Sequence, residues 1–391
     1  MKDRNEKAIN IYGIGITAVK FVLSHYKFLK IKSFIEGKRV KPKFMDLDIP
    51  VIDVKEAWNY LKKYYTVVAC QERVYHEIKN VLESYGLKEF IDFEYHECFL
   101  KKVAIVYGNC HSGALKSYLR LSQEFSNDYG LYPVQQIQEC WKWRKEHPCV
   151  DIHDRYKDAL ERCDLFIHQG VRKENYFGEE FASETLIKYL NSGCKKIVFP
   201  NLYRMPMFMF PQMISYTDNI RWEGNNWFFR DKYIDENYKD MTVHQLVQMI
   251  EDENLIPQGE IKSGLELFEY KVGQREQSWD IKILDFIRSS YGKCKLFYDP
   301  GHPTGQIMRQ IAKQILLMMG YLKAVTELET NTTSELDVYE VPLYSSVEKA
   351  LGLLGGDRVI RRYNGIKLRN VSMDFKEYVQ QYLCWNHRIS R

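Results

Sequence analysis

Apolar residues along this chain come in two rhythms. Short unbroken runs read as buried strands, and spacing at i, i+3, i+4 reads as helix. Residues 8–12 form the first run, which breaks at Gly13-x-Gly15-x-x-Ala18; helical spacing then continues through Val19, Val22 and Leu23. A second strand over 31–35 ends at Glu36, and residues 49–52, a helix over 54–63, a strand over 66–69 and a helix over 73–85 follow. The alternation predicts a small parallel α/β domain over residues 1–98. Gly13 and Gly15, with Glu36 about 20 positions on, stand where a dinucleotide-binding fold cradles phosphate and contacts a ribose hydroxyl. A nucleotide or nucleotide-sugar is therefore a candidate ligand, and a purely structural turn in a docking module is the alternative.

The pattern restarts after a short linker near 94–102. The run Val103-Ala104-Ile105-Val106-Tyr107 breaks at Gly108-Asn109-Cys110, and helical spacing begins at Ala114 and passes through Leu115, Tyr118, Leu119 and Phe125. A β-like stretch over 132–137 follows. Residues 164–168 run into Gln169-Gly170-Val171-Arg172-Lys173, and after a helix over 183–190 residues 197–199 run into Pro200-Asn201-Leu202-Tyr203-Arg204. Residues 295–298 run into Asp299-Pro300-Gly301-His302-Pro303-Thr304, before a helix over 305–320. Four strands thus each end in a polar cluster. If they are parallel neighbours in one sheet, the clusters meet at its carboxyl edge, where open α/β sheets bind ligands.

This reading assigns residues 99–325 to a second α/β domain with a mostly parallel sheet. A helical insertion occupies about 208–290 and holds Trp222, Trp227, Phe228 and Phe229, with helices near 242–252, 261–270 and 278–289. Residues 326–391 form an extension. It contains a hairpin turning at Asn364-Gly365 with Arg358, Arg361, Arg362, Lys367 and Arg369 on its strands, and a helix over 374–384.

Composition narrows the function classes. Of 391 residues, 45% are hydrophobic and 28% charged, as in soluble globular proteins. The net charge of +4 is too mild to argue for nucleic acid. No run approaches the roughly 18 apolar residues of a membrane span. Nine cysteines without metal-type spacing, and no secretory leader pattern, point to a reduced, cytoplasmic protein.

The candidate chemistry centres on Cys110. A strand–turn–helix places it at a helix N-terminus, where the dipole and free N–H groups favour an anion, and the thiolate is the nucleophilic form of cysteine. A small buried hydrophobe is the bland alternative. The spacing Asp299-x-x-His302 lets one loop present a base and the group that orients it, which gives a Cys-His-Asp set. The N–H of Cys110, with Asn109, Gln169, Gly170 and Asn201, supplies candidate oxyanion or substrate donors. No HExxH or CxxC spacing appears, and no metal is expected.

Together, Tyr107-Gly108-Asn109-Cys110-His111, Gln169-Gly170, Pro200-Asn201 and His302-Pro303-Thr304 resemble the WcbI-type polysaccharide-biosynthesis proteins, a family related to the SGNH/GDSL hydrolases. The resemblance covers roughly residues 102–325. It implies an SGNH-like three-layer α/β/α fold, coenzyme A binding, and O-acetylation of a sugar during capsule or surface-glycan synthesis. Cys110 then replaces the hydrolase serine, with His302 and Asp299 as its partners. Family members usually carry Gln after the Cys, where this chain has His111. Arg172, Lys173 and Arg204, just past strand ends, are the candidates for the cofactor's phosphates. Residues 1–98 resemble the Rossmann-like modules fused to glycan-processing enzymes. Acetyl-CoA is thus the expected donor, a sugar or glycan the acceptor, and glycan-assembly enzymes candidate partners. An esterase or deacetylase of the same fold, and a non-catalytic scaffold, are the competing readings.

Overall fold

A computed structural model describes residues 8–37, 44–45, 47–215, 229–329, 336–337, 339–353, 366–368 and 371–387. The chain divides into two compact units, Met1–Ile197 and Val198–Arg391.

The first unit holds two sheets. Strands β1 (Ala8–Tyr12), β2 (Lys30–Glu36), β3 (Val51–Asp53), β4 (Tyr65–Val68) and β5 (Phe93–Tyr95) pair in parallel in the order β3-β2-β1-β4-β5. Helices Ile16–His25, Trp58–Lys63 and Glu72–Ser84 lie between strands in sequence. The second sheet contains β6 (Lys102–Tyr107), β7 (Tyr129–Leu131), β8 (Cys163–Gln169) and β9 (Lys195–Phe199) in the order β7-β6-β8-β9. β6 is parallel to both β7 and β8.

The strand expected over 132–137 lies upstream, at β7. Pro133 has no N–H for a ladder, whereas Gly130 lets β7 approach the chain at Glu97 and Cys98 closely: a Cβ there would sit 2.1 Å from the Glu97 carbonyl oxygen.

One apolar core joins the two sheets. Tyr75, Phe93 and Tyr95 from the first α/β segment pack with Val103, Tyr107 and Tyr132 from the second. The junction expected near residue 98 therefore lies inside a compact unit, and the boundary between units falls within β9. Charges, buried at Lys116 and half-buried at its neighbours, reinforce the junction. Lys116 pairs with Glu72 at 2.7 Å, and Arg120 pairs with both Glu72 and Glu97. Burial pushes the Glu72 carboxyl up, but Lys116 and Arg120 outweigh it and hold the group below its ordinary value. Glu89, fully buried, accepts from Lys79 at 2.6 Å and Tyr132 at 3.2 Å.

Two histidines, His76 buried and His96 half-buried, make this unit sensitive to acid. Burial, followed by the charge of Arg155, pushes His76 down to about 3; burial, followed by Arg120, pushes His96 down to about 4. His76 Nε2 lies 2.7 Å from the Pro133 carbonyl, so the neutral ring donates there. An unfolded histidine takes up its proton near pH 6.5. The unfolded chain then binds more protons than the folded one, and stability falls as pH drops below 6.5. Each group costs about 2 kcal/mol by pH 5. Urea titrations from pH 7 to 5 should show this decline, and His76→Gln should flatten it. An equal slope in wild type and variant would remove His76 from the account.

The second unit opens with the 200–205 loop and contains antiparallel pairs. β10 (Met213–Ser215) pairs with β11 (Phe229–Asp231), β12 (Phe297–Asp299) with β13 (His302–Pro303), and β14 (Tyr339–Glu340) with β15 (Ile366–Leu368), which also pairs with β16 (Val371–Met373). One architectural expectation is corrected here. The strands ending at Tyr107, His168 and Phe199 share one sheet, but the segment at Tyr298 belongs to β12, which folds back on β13. A short apolar run does not encode its partner, and the turn at Pro300-Gly301 supplies an antiparallel one.

Helices Val243–Ile250, Gln258–Glu276 and Leu284–Ser290 occupy the expected insertion. The third starts later than its apolar spacing suggests. The Asp280 N–H and carboxylate bond the backbone of Val198, and the Glu276 carboxylate accepts the Leu284 N–H at 2.8 Å, so the helix begins there. Trp222, Trp227, Phe228 and the Asn364-Gly365 turn with Arg358, Arg361, Arg362 and Arg369 lie outside the described residues. The final helix spans Phe375–His387.

Candidate active site

In the first unit, β6 delivers the chain to Gly108 and Asn109, and the helix Cys110–Arg120 starts at once. Asn109 caps it: its side-chain oxygen accepts the His111 N–H at 3.0 Å. The Asn109 carbonyl accepts the Ser112 N–H and hydroxyl at 2.9 and 2.7 Å. The N–H of Cys110 heads the helix and has no intrahelical acceptor. The thiol is half-buried, at the positive end of the helix dipole.

Gln169, at the end of β8, holds this turn in place. Its Oε1 accepts the Asn109 N–H at 2.9 Å, and its Nε2 lies 3.3 Å from His111 Nδ1. Its own carbonyl accepts from Ser183 Oγ at 2.5 Å. Gln169 is 1% exposed and Asn109 is 8% exposed. Both are candidate oxyanion or substrate donors, and both are buried and hydrogen-bonded within the cysteine turn. Gly108 is required beside Gln169, because a Cβ there would meet Oε1 at 2.5 Å.

Sequence reasoning missed the neighbouring 135–138 segment. The Ile137 N–H donates to the Gly108 carbonyl at 3.0 Å, which brings this segment against the turn. Gln135 Oε1 and Gln138 Oε1 are buried without a partner among the described residues. The signal was the run Gln135-Gln136-Ile137-Gln138, carboxamides clustered past a strand.

Beyond Gln169, Gly170 and Arg172 are exposed. Lys173, also exposed, pairs with Glu179 at 3.1 Å, which raises its pKa through the hydrogen bond and the charge.

The second unit assembles another cluster. His302 Nδ1 lies 2.8 Å from Asp299 Oδ2, and Asp299 Oδ1 accepts the Gly301 N–H at 2.6 Å. Asp299 is buried. The carboxylate keeps the imidazole proton on Nδ1 and the basic lone pair on Nε2. The 200–205 loop packs on this turn: the Arg204 N–H donates to the Pro300 carbonyl at 2.8 Å, and a Cβ on Gly301 would meet the Tyr203 ring at 3.0 Å. Asn201 Oδ1 accepts the Tyr203 N–H at 3.1 Å, and Arg204 is exposed in a left-handed conformation with φ 59°. Asn201, Arg204, Asp299 and His302, distant in sequence, thus share one neighbourhood. Thr304 follows His302, buried, with Oγ1 unpartnered among the described residues.

At the end of β1, Gly13 adopts φ 113°, donates to the Ile35 carbonyl at 2.8 Å, and leaves no room for a Cβ, which would lie 2.7 Å from the Ala69 carbonyl oxygen. Gly15 caps the next helix and faces open space. The Glu36 carboxylate accepts the Gly37 N–H at 2.8 Å.

The fold is that of an α/β protein with mostly parallel sheets, with a cysteine heading a helix in the first unit and an Asp–His pair on a turn of the second. Residues 103–323, more than half of the chain, match the family described as "Polysaccharide biosynthesis enzyme WcbI", and the chain belongs to that family. Among solved structures it is similar to WcbI, described as a novel polysaccharide biosynthesis enzyme in its native form without a disulfide bond between coenzyme A and a cysteine. Identity is 21%, with 74% of this chain and 91% of that chain covered, at a TM-score of 0.58; the likeness is one of fold. No curated protein matches.

Proposed function

We propose that this protein is a coenzyme A-dependent O-acyltransferase, acetyl-CoA its donor, that modifies a sugar hydroxyl during capsule or surface-polysaccharide synthesis. The observation that carries the reading is Cys110 at the first position of a helix, its turn clamped by Gln169 and Asn109. Membership of a family of polysaccharide biosynthesis enzymes supplies the setting, and the coenzyme A named for the structural neighbour supports the donor.

The residues fit that donor chemically. Unpartnered Gln135 and Gln138 oxygens suit the amide N–H groups of a pantetheine arm, and exposed Arg172 and Arg204 suit phosphates. The Cys110 thiolate attacks the acyl carbonyl; a C–S bond forms as the coenzyme's C–S bond breaks, and its sulfur leaves protonated by His302. His302 then takes the proton of the sugar hydroxyl, a C–O bond forms, and the Cys110 thiolate is released. Asp299 stabilises the imidazolium. In the esterase reading the acyl donor is a glycan ester, whose C–O bond breaks as the sugar hydroxyl leaves, and water takes the acyl group.

Calorimetry with coenzyme A tests the binding. Arg172→Ala and Arg204→Ala should each weaken it roughly tenfold at low salt, with a smaller loss at high salt. Unchanged affinity in both would remove these residues from the site.

Residues 99–325 carry this chemistry as an SGNH-like segment, and residues 1–98 act as a Rossmann-like module. The order β3-β2-β1-β4-β5 favours a nucleotide at the Gly13 turn, because β1 and β4 flank the point where the strand order reverses. Gly15→Val should abolish nucleotide or nucleotide-sugar binding and leave the melting curve unchanged, since its Cβ meets nothing within 4 Å. Wild type without affinity for NAD, NADP or nucleotide-sugars would make the turn structural.

A further inference from the structure

Helix Ile16–His25 buries Ala18, Phe21 and Val22 on one side. Its other side mixes polar groups, Lys20 and Ser24, with large apolar ones. Ile16 is 64% exposed and Leu23 70% exposed, with Lys20 exposed between them at i, i+4, i+7 spacing. The turn after the helix adds Tyr26 at 56% and Phe28 at 63%, with exposed Lys27 between them. Two large apolar groups on the outward face of a short helix, continued by two aromatics, form an uncovered apolar surface where a soluble helix carries polar groups.

Charge identifies what covers it. Residues 8–35 contain Lys20, Lys27, Lys30 and Lys32 and no aspartate or glutamate. Among the described residues, Lys20, Lys27 and Lys30 form no ion pair. Apolar groups interleaved with unpaired lysines match the surface of an anionic bilayer, in which side chains enter the acyl boundary while ammonium groups meet lipid phosphates. A protein partner with an apolar groove would meet uncompensated lysines among its contacts.

We infer that the face formed by Ile16, Lys20, Leu23, Tyr26, Lys27 and Phe28 docks the protein on the surface of a membrane containing anionic lipid. It rests on the surface, since no described helix is long and apolar enough to cross a membrane. Docking here brings an enzyme of polysaccharide synthesis to acceptors carried on lipid. The surface is independent of Cys110 and His302, so its failure leaves the transferase reading intact.

The full chain is sedimented with vesicles of phosphatidylglycerol and phosphatidylcholine, and with phosphatidylcholine vesicles alone. Wild type should pellet with the anionic vesicles only, and less as salt is raised. Lys20→Ala and Lys27→Ala should each weaken binding about fivefold. Leu23→Glu and Phe28→Glu should abolish it with unchanged circular dichroism, because both side chains are exposed. Wild type remaining in the supernatant, pelleting equally with neutral vesicles, or Leu23→Glu binding like wild type would each overturn the inference. A dimer lost in Leu23→Glu, without vesicle binding, would assign the face to a second copy and overturn it too.

Discussion

Cys110→Ala should abolish acyl transfer, by a factor of roughly a thousand or more. The cysteine heads a helix whose first turn is tied to Gln169, Asn109 and the 135–138 segment, so removing Sγ leaves the backbone bonds in place. His302→Ala should cost about as much. The double variant should be little worse than either single, because groups that act as one unit are strongly non-additive. Asp299→Asn should cost less: the amide still fills the buried position beside His302 Nδ1 but no longer stabilises the imidazolium. Cys110→Ser keeps the shape and raises the pKa of the nucleophile, so a large but incomplete loss is expected. Steady-state acetyl release with a sugar acceptor reads all five. Near-wild-type turnover in Cys110→Ala would make the cysteine structural and leave His302 as a base for direct attack of the sugar hydroxyl.

The largest stability effect is expected at Gly130→Ala. A methyl there meets backbone, the Glu97 carbonyl at 2.1 Å and the Cys98 Cα at 2.5 Å, and neither can rotate away as a side chain does. Relief requires parting β7 from the junction that the half-buried Glu72–Lys116 pair and the shared core hold together. The cost should be at least about 4 kcal/mol, a large part of the 5–15 kcal/mol typical of a domain. Gly15→Ala, in open space, should be close to neutral. Urea unfolding of both checks the contrast, and similar midpoints would show that β7 moves without penalty.

The sequence made the cysteine turn legible for a physical reason. Val103 to Val106 is a β-branched run broken by a glycine, and Asn109 is a strong helix cap, so strand, turn and helix follow from local preference alone. The Asp299-Pro300-Gly301-His302 turn was legible in the same way, since its hydrogen bond closes over three residues. Longer-range facts were not. Four apolar strands look alike, and nothing in residues 295–298 says that β12 pairs with His302-Pro303 rather than with the sheet of β6. Gln169 stood out because it ends a strand at the carboxyl edge of the sheet, but its burial beside Gly108 comes from tertiary packing that the local pattern does not record. The pairs of Glu72 with Lys116 and of Glu97 with Arg120, which join the two sheets of the first unit, are likewise recorded by no local pattern. The insertion of Gly130 against Glu97 depends on two segments meeting, which no local pattern records.

The most direct test of the account is mass spectrometry of the Cys110 peptide after incubation with labelled acetyl-CoA. The acetyl group should appear on Cys110 without an acceptor, be absent in Cys110→Ala, and leave when a sugar acceptor is added. Turnover of acetyl-CoA onto the acceptor with Cys110 unmodified at every time point would contradict covalent transfer through this residue.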